Sequence, residues 1–147
     1  MEQQGSKLLK VVSIIMIVGG ILGAIIMIIA GVVGGTANAI ANQYSSVLSD
    51  ADNASLGGNL AMMWVGIIIG VIGSAVEIFA GFTGLANWTN PAKAQFMTIV
   101  GYVIVGVQVV SIIFSIIAKS FSPITLVTGF VLPVLYIVGA MQLKKQG

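Results

Sequence analysis

The chain has no cysteine, no histidine and no arginine. Without cysteine there is no disulfide, thiol nucleophile, iron–sulfur cluster or thiolate metal site. Without histidine there is no imidazole base, no Ser-His-Asp triad and no HExxH zinc site. Without arginine there is no bidentate phosphate clamp. Charge of either sign is scarce: six lysines and four acids in 147 residues, or 7%, where a soluble domain carries about 25%. Such a chain cannot cover its own surface with polar groups, so it does not read as a soluble globular protein. It is also far too apolar to be disordered. The net charge of +2 comes from terminal and loop lysines, with no basic patch that would suggest nucleic acid. No metal, cofactor or nucleic-acid partner is expected. Ser, Thr and Tyr are present, but the only base available to them is one buried acid or the exposed Asp50 and Asp52, so an enzyme is not expected.

What the sequence does have is apolar length. Hydrophobic residues make up 58% of the chain, and mean hydropathy is +1.11. The charged residues sit at the edges of long runs: Lys10 to Asp50, Asp52 to Lys93 with Glu77 inside it, Lys93 to Lys119, and Lys119 to Lys144. Each run holds about 20 or more apolar residues, enough for a helix to cross ~30 Å of hydrocarbon. The predicted spans are 10–34, 60–86, 96–118 and 123–143. The runs are continuous, which favours helices; a barrel strand would alternate over about ten residues. Trp64 and Trp88 flank the second span at ~36 Å of helix, close to the separation of the two headgroup belts. Phe96 and Phe121 lie near the ends of the third. The expected fold is an all-α membrane protein over residues 1–147, an antiparallel four-transmembrane-helix bundle in one domain with the bilayer as solvent.

Lys7, Lys10, Lys93, Lys144 and Lys145 fall on one side of this arrangement. Lys119 falls on the other, with Asp50 and Asp52. The positive-inside rule then puts both termini and the 87–95 loop in the cytoplasm of a multi-pass protein of the cell membrane, expected to be a bacterial inner membrane. Lys7 and Lys10, with Ala37-Asn38-Ala39, imitate a signal peptide. The apolar run between them, about 23 residues, is too long for a signal-peptide core, so an uncleaved span is expected.

The outer loop, 35–59, is the one sizeable polar segment. Ala37, Ile40, Ala41, Tyr44, Val47 and Leu48 recur at helical spacing and predict a short outer amphipathic helix between spans 1 and 2, or a continuation of the first span. Asp50-Ala51-Asp52-Asn53 lacks the glycine and distant glutamate of a calcium loop and reads as a solvated turn.

Nineteen glycines in so apolar a chain point to close helix packing, because lipid leaves little hydrophobic drive for helices to associate. Gly66, Gly70, Gly73, Glu77, Gly81 and Gly84 fall within an arc of about 80° at ~100° per residue. They form one nearly smooth helix-packing face with an acid set in it. Weaker stripes run through the other spans: Gly20, Gly23, Gly31 and Gly34; Gly101, Gln108, Ser111 and Ser115; Thr125, Thr128, Gly129, Tyr136 and Gly139. GxxxG spacing occurs at Gly19/Gly23, Gly31/Gly35 and Gly66/Gly70. Pro133 removes one backbone hydrogen bond near Gly129.

Glu77 is the one ionisable residue well inside a span. An acid there costs about 2.5–3.5 kcal/mol on insertion scales, which makes it a functional candidate by default. It is expected to be uncharged and hydrogen-bonded, with Tyr136 or Gln108 as partner. The expected intramembrane polar site is Glu77, Tyr136, Gln108, Ser111 and Thr128.

Four spans with one membrane glutamate invite comparison with the small multidrug resistance transporters. Those are shorter and carry the glutamate in their first span, not the second. The chain resembles small four-span bacterial membrane proteins of unassigned function, through Leu135-Tyr136-Ile137-Val138-Gly139-Ala140, Lys144-Lys145, and Glu77-Ile78-Phe79-Ala80-Gly81. The resemblance implies no activity. Glu77–Gly81 also resembles Tyr136–Ala140, as a duplicated hairpin would. The function expected is that of a non-enzymatic membrane protein working by helix packing, as a self-associating or partner-binding subunit. A proton- or cation-coupled transporter using Glu77 in an oligomer is the alternative.

Overall fold

A computed structural model describes residues 4–119 and 122–146. The described chain is a helical bundle of four helices: α1 (Gln4–Tyr44), α2 (Asp50–Asn87), α3 (Ala94–Ile117) and α4 (Pro123–Lys144). A single 3-10 turn, Pro91–Lys93, leads into α3. Three stretches, Lys7–Tyr44, Asp50–Asn87 and Pro91–Ile117, are long and apolar enough to cross a membrane. In α4, which has 22 residues, the apolar helix among described side chains is the shorter Gly129–Lys144.

Proline and capping residues decide where these helices stop. The first proline in the chain is Pro91, so nothing before it forces a break by removing an N–H. α1 therefore runs through Gly34-Gly35, past the alternating alanines 37, 39 and 41, which are strong helix formers, to Tyr44. It is interrupted only at residues 45–49. There Ser49 takes an extended backbone, its hydroxyl accepts from the Asp52 N–H at 3.2 Å and donates to the Asp52 carboxylate at 2.6 Å. The Asn53 amide closes the turn by donating to the carbonyls of Ser45 (2.9 Å) and Leu48 (3.3 Å). At the other side of the bundle Asn90 caps the 3-10 turn by accepting from the Ala92 N–H. α3 ends where Lys119 adopts a left-handed φ of 55°. α4 starts with Pro123 in its first turn and continues through Pro133.

This corrects the expected outer loop. Residues 35–44 continue α1, the second of the two forms expected for this segment, 50–59 belong to α2, and only 45–49 connect them, with no separate amphipathic helix between. Asp50 and Asp52 form the first turn of α2. At 1.5 Å per residue, α1 and α2 are ~62 and ~57 Å long against ~36 and ~33 Å for α3 and α4. Phe114 lies against Gly66 and α3 ends three residues later. The first dozen or so residues of α2, and the matching end of α1, therefore extend past α3 as a two-helix projection.

α1 and α2 share the most extensive contact, α3 packs on α4, and α1–α4 and α2–α3 close the ring. Along the first pair, Gly81 meets Ser13 and Ile17, Gly20 meets Ser74 and Ile78, Gly70 meets Met27, and Gly34 meets Met63. The buried core lies at the end where the termini and the 87–93 connection gather: Leu9, Val12, Met16, Ala80, Ala94, Met97, Val100, Ile104, Tyr136, Ala140 and Leu143. Between Asp50 and Gly73 on α2, and from Val105 to Ile117 on α3, no residue is fully buried. The bundle is tight at one end and open at the other.

Candidate functional site

Glu77 sits on α2, partly buried. Its Oε1 accepts a hydrogen bond from the Gln108 side-chain amide of α3 at 3.1 Å. The same amide's oxygen lies against Gly129 of α4, where a β-carbon would stand 3.1 Å from it. A side chain at 129 would crowd the Gln108 amide, so the glycine borders the site. Gly129 is also the residue whose carbonyl loses its helical donor to Pro133, so Gln108 lies beside both polar irregularities of this region. Three helices thus meet at one amide.

Tyr136 does not join them. Its ring is fully buried, and its hydroxyl donates to the Ala80 carbonyl at 3.0 Å, one turn further along α2. Of the two expected partners of Glu77, Gln108 is the one in place. The register of α3 on α4 separates them: Gln108 lies against Gly129, seven residues before Tyr136 on α4, whereas Tyr136 packs against Gly84 of α2 and Gly101 of α3. Ser111 is partly buried and gives its hydroxyl to the Val107 carbonyl of its own helix at 3.0 Å, so it bonds within α3. The Thr128 and Thr125 side chains lie outside the described residues, as does Phe121.

The glycine face of α2 divides among three neighbours. Gly66 faces Phe114 and Gly73 faces Val107, both on α3; Gly70 faces Met27 and Gly81 faces Ser13 and Ile17, all on α1; Gly84 faces Ser13 and Tyr136. The stripe is therefore occupied within the chain. Elsewhere the expectation divides. Gly20, Gly23 and Gly34 of α1 contact α2, whereas nothing lies within 4 Å of a β-carbon built at Gly19, Gly31 or Gly35.

Ser13 was not singled out from the sequence. It is fully buried, and its hydroxyl has no hydrogen-bond partner among the described residues. The signal was available, since Ser13 is the one hydroxyl residue of α1 between Lys10 and Thr36. Ser74, also buried, stands opposite Gly23 in the same interface. Lys10 places its ammonium 4.5 Å from the centre of the Trp88 ring, a cation–π contact that ties α1 to the end of α2.

Two apolar grooves run between α2 and α3, one beside Ile69, Ile72 and Val107 and the other beside Val76, Phe79 and Phe96. Glu77 lines neither. Among the described residues no three His, Cys, Asp or Glu side chains gather as a metal site would require.

Fold and site together define a small all-helical protein, with three helices long and apolar enough to cross a membrane and one carboxyl–amide pair joining α2 to α3. No protein-family model matches the chain, and no significant match is found among curated proteins or solved structures.

Proposed function

We propose that the chain is a non-enzymatic integral membrane protein whose four antiparallel helices cross a bacterial inner membrane, with both termini cytoplasmic. It acts through helix packing, as a self-associating or partner-binding subunit. The observation that carries this reading is the open Gly31/Gly35 pair. Gly20, Gly23 and Gly34 of α1 each seat α2, but Gly31 and Gly35, four residues apart on one face, seat nothing. In lipid, such a pair is where a second helix approaches closely. The open end of the bundle supports the same reading, because there α1 and α2 run on beyond α3 with few buried side chains.

The test is assembly in a mild detergent and by cross-linking in bilayers. Wild type is expected to form a discrete oligomer or to retain a membrane partner, and the Gly31→Leu/Gly35→Leu double variant to lose it while its helix content stays unchanged. A double variant that assembles like wild type overturns the reading.

One observation favours a second reading, proton- or cation-coupled transport by an oligomer. Glu77 is paired with a neutral amide, and an amide both donates and accepts, so the pair survives a change in the carboxyl's protonation. Glu77→Gln separates the two readings. If packing is the function, the variant folds and assembles as wild type does. If transport is the function, it folds but abolishes pH-dependent flux in proteoliposomes.

A further inference from the structure

A groove of about 250 Å³ lies between the start of α3 and the end of α4, lined by Gln95, Thr98, Ile99 and Tyr102 on one side and Met141, Lys144 and Lys145 on the other. Its composition changes along its length. Gln95 and the two lysines stand at the end of the bundle where the chain termini gather; Ile99, Tyr102 and Met141 lie up to two turns deeper. Residues 95, 98, 99 and 102 share one face of α3, and 141, 144 and 145 share one face of α4, so the gradient is built by two helix stripes side by side. Among the described residues no acid stands near these lysines. Asp50 and Asp52 are at the far end of α2, and Glu77 is bonded to Gln108. Of the other lysines at this end, Lys10 is placed over Trp88.

The geometry points to a binding site for an anionic phospholipid, with the headgroup phosphate between Lys144 and Lys145 and an acyl chain along Ile99, Tyr102 and Met141. Basic pockets between helices on the cytoplasmic side bind such headgroups. The adjoining first turn of α3 adds the positive end of a helix dipole. A soluble phosphate would meet the same lysines but leave the apolar floor uncovered, so the lipid is the ligand that fits the whole groove. This inference rests on the membrane reading above.

The experiment uses the full chain in neutral detergent. Its thermal midpoint is followed while phosphatidylglycerol, phosphatidylcholine or inorganic phosphate is added, and flotation with phosphatidylcholine vesicles is measured in parallel. Phosphatidylglycerol is expected to stabilise the protein saturably, and the other two to leave the midpoint unmoved. Lys144→Gln/Lys145→Gln should weaken the apparent affinity about 30-fold, from about 1 kcal/mol per lysine near an anionic surface. Lys144→Arg/Lys145→Arg should restore it, and Lys7→Gln/Lys93→Gln, an equal loss of charge outside the groove, should change it less than about threefold. Equal losses in the two glutamine pairs, equal stabilisation by phosphatidylcholine, or phosphate acting as well as the lipid would each overturn the site. A chain that floats with vesicles but shows no headgroup preference refutes this inference alone; a chain that does not float refutes the membrane reading beneath it.

Discussion

Gly81→Leu is expected to separate α1 from α2 and to destabilise the bundle by about 3 kcal/mol, the upper part of the range for overpacking. A β-carbon at 81 would stand 2.7 Å from the Ser13 carbonyl oxygen and 3.0 Å from the Ile17 backbone nitrogen. Both are main-chain atoms of α1, which cannot rotate aside as a side chain can, so the helix axes must move apart. On the membrane reading proposed above that displacement is costly, because van der Waals contact is a principal force holding helices together in lipid. Gly70 provides the internal comparison. There the atoms in the way belong to the Met27 side chain, which is flexible and can swing clear, so Gly70→Leu should cost less than half as much. Gly19→Leu, with nothing within 4 Å, should be close to neutral. Thermal unfolding of the three variants in one detergent, followed by loss of helical circular dichroism, ranks them. Gly81→Leu unfolding alongside Gly19→Leu would mean that the α1–α2 contact is not what holds the fold.

The same contrast shows what the sequence made legible. α4 is bounded by proline and charge, and both can be read from the residues; hence the expected 123–143 lies close to the observed Pro123–Lys144. The first connection is shorter than hydropathy suggests, because hydropathy reports where a helix leaves an apolar medium and is silent on where it ends. Thr36 to Tyr44 turns polar while staying helical, and the stop depends on the Ser49–Asp52 cap and on Asn53 reaching back to Ser45 and Leu48. Periodicity gathered the α2 glycines on one face, but 80° of helix surface is wide enough to be shared. Which glycine meets backbone and which meets a flexible methionine depends on the neighbours' register. Glu77 was conspicuous by its charge. Its partner is not, because the choice between Tyr136 and Gln108 depends on the register of α3 against α4, which sets Gln108 beside Gly129 and Tyr136 beside Gly101 and which hydropathy does not report. Ser13 was missed because a lone hydroxyl among apolar residues carries little weight by composition, although burial makes it costly.

Gln108→Leu should destabilise the protein by about 1 kcal/mol, the lower end of the cost of leaving an acceptor without its donor, because Glu77 is only partly buried. The bond it removes joins α2 to α3, which share less contact than α1 and α2 do, so each polar tie between them matters more. Glu77→Leu alone strands the amide in the same way, with Gly129 on its other side. The double variant Glu77→Leu/Gln108→Leu strands neither and fills both positions with apolar side chains of similar size. It should therefore be more stable than the sum of the single losses predicts, by an interaction energy of about 1 kcal/mol, within the range measured for hydrogen bonds between membrane helices. Chemical unfolding of all four proteins in one detergent gives the cycle. If the single losses simply add, the two side chains do not depend on each other, and the carboxyl–amide contact cannot be what fixes the register of α2 on α3. If the coupling is present and pH-dependent flux is absent in wild type, the pair is a structural joint and Glu77 is not a coupling site.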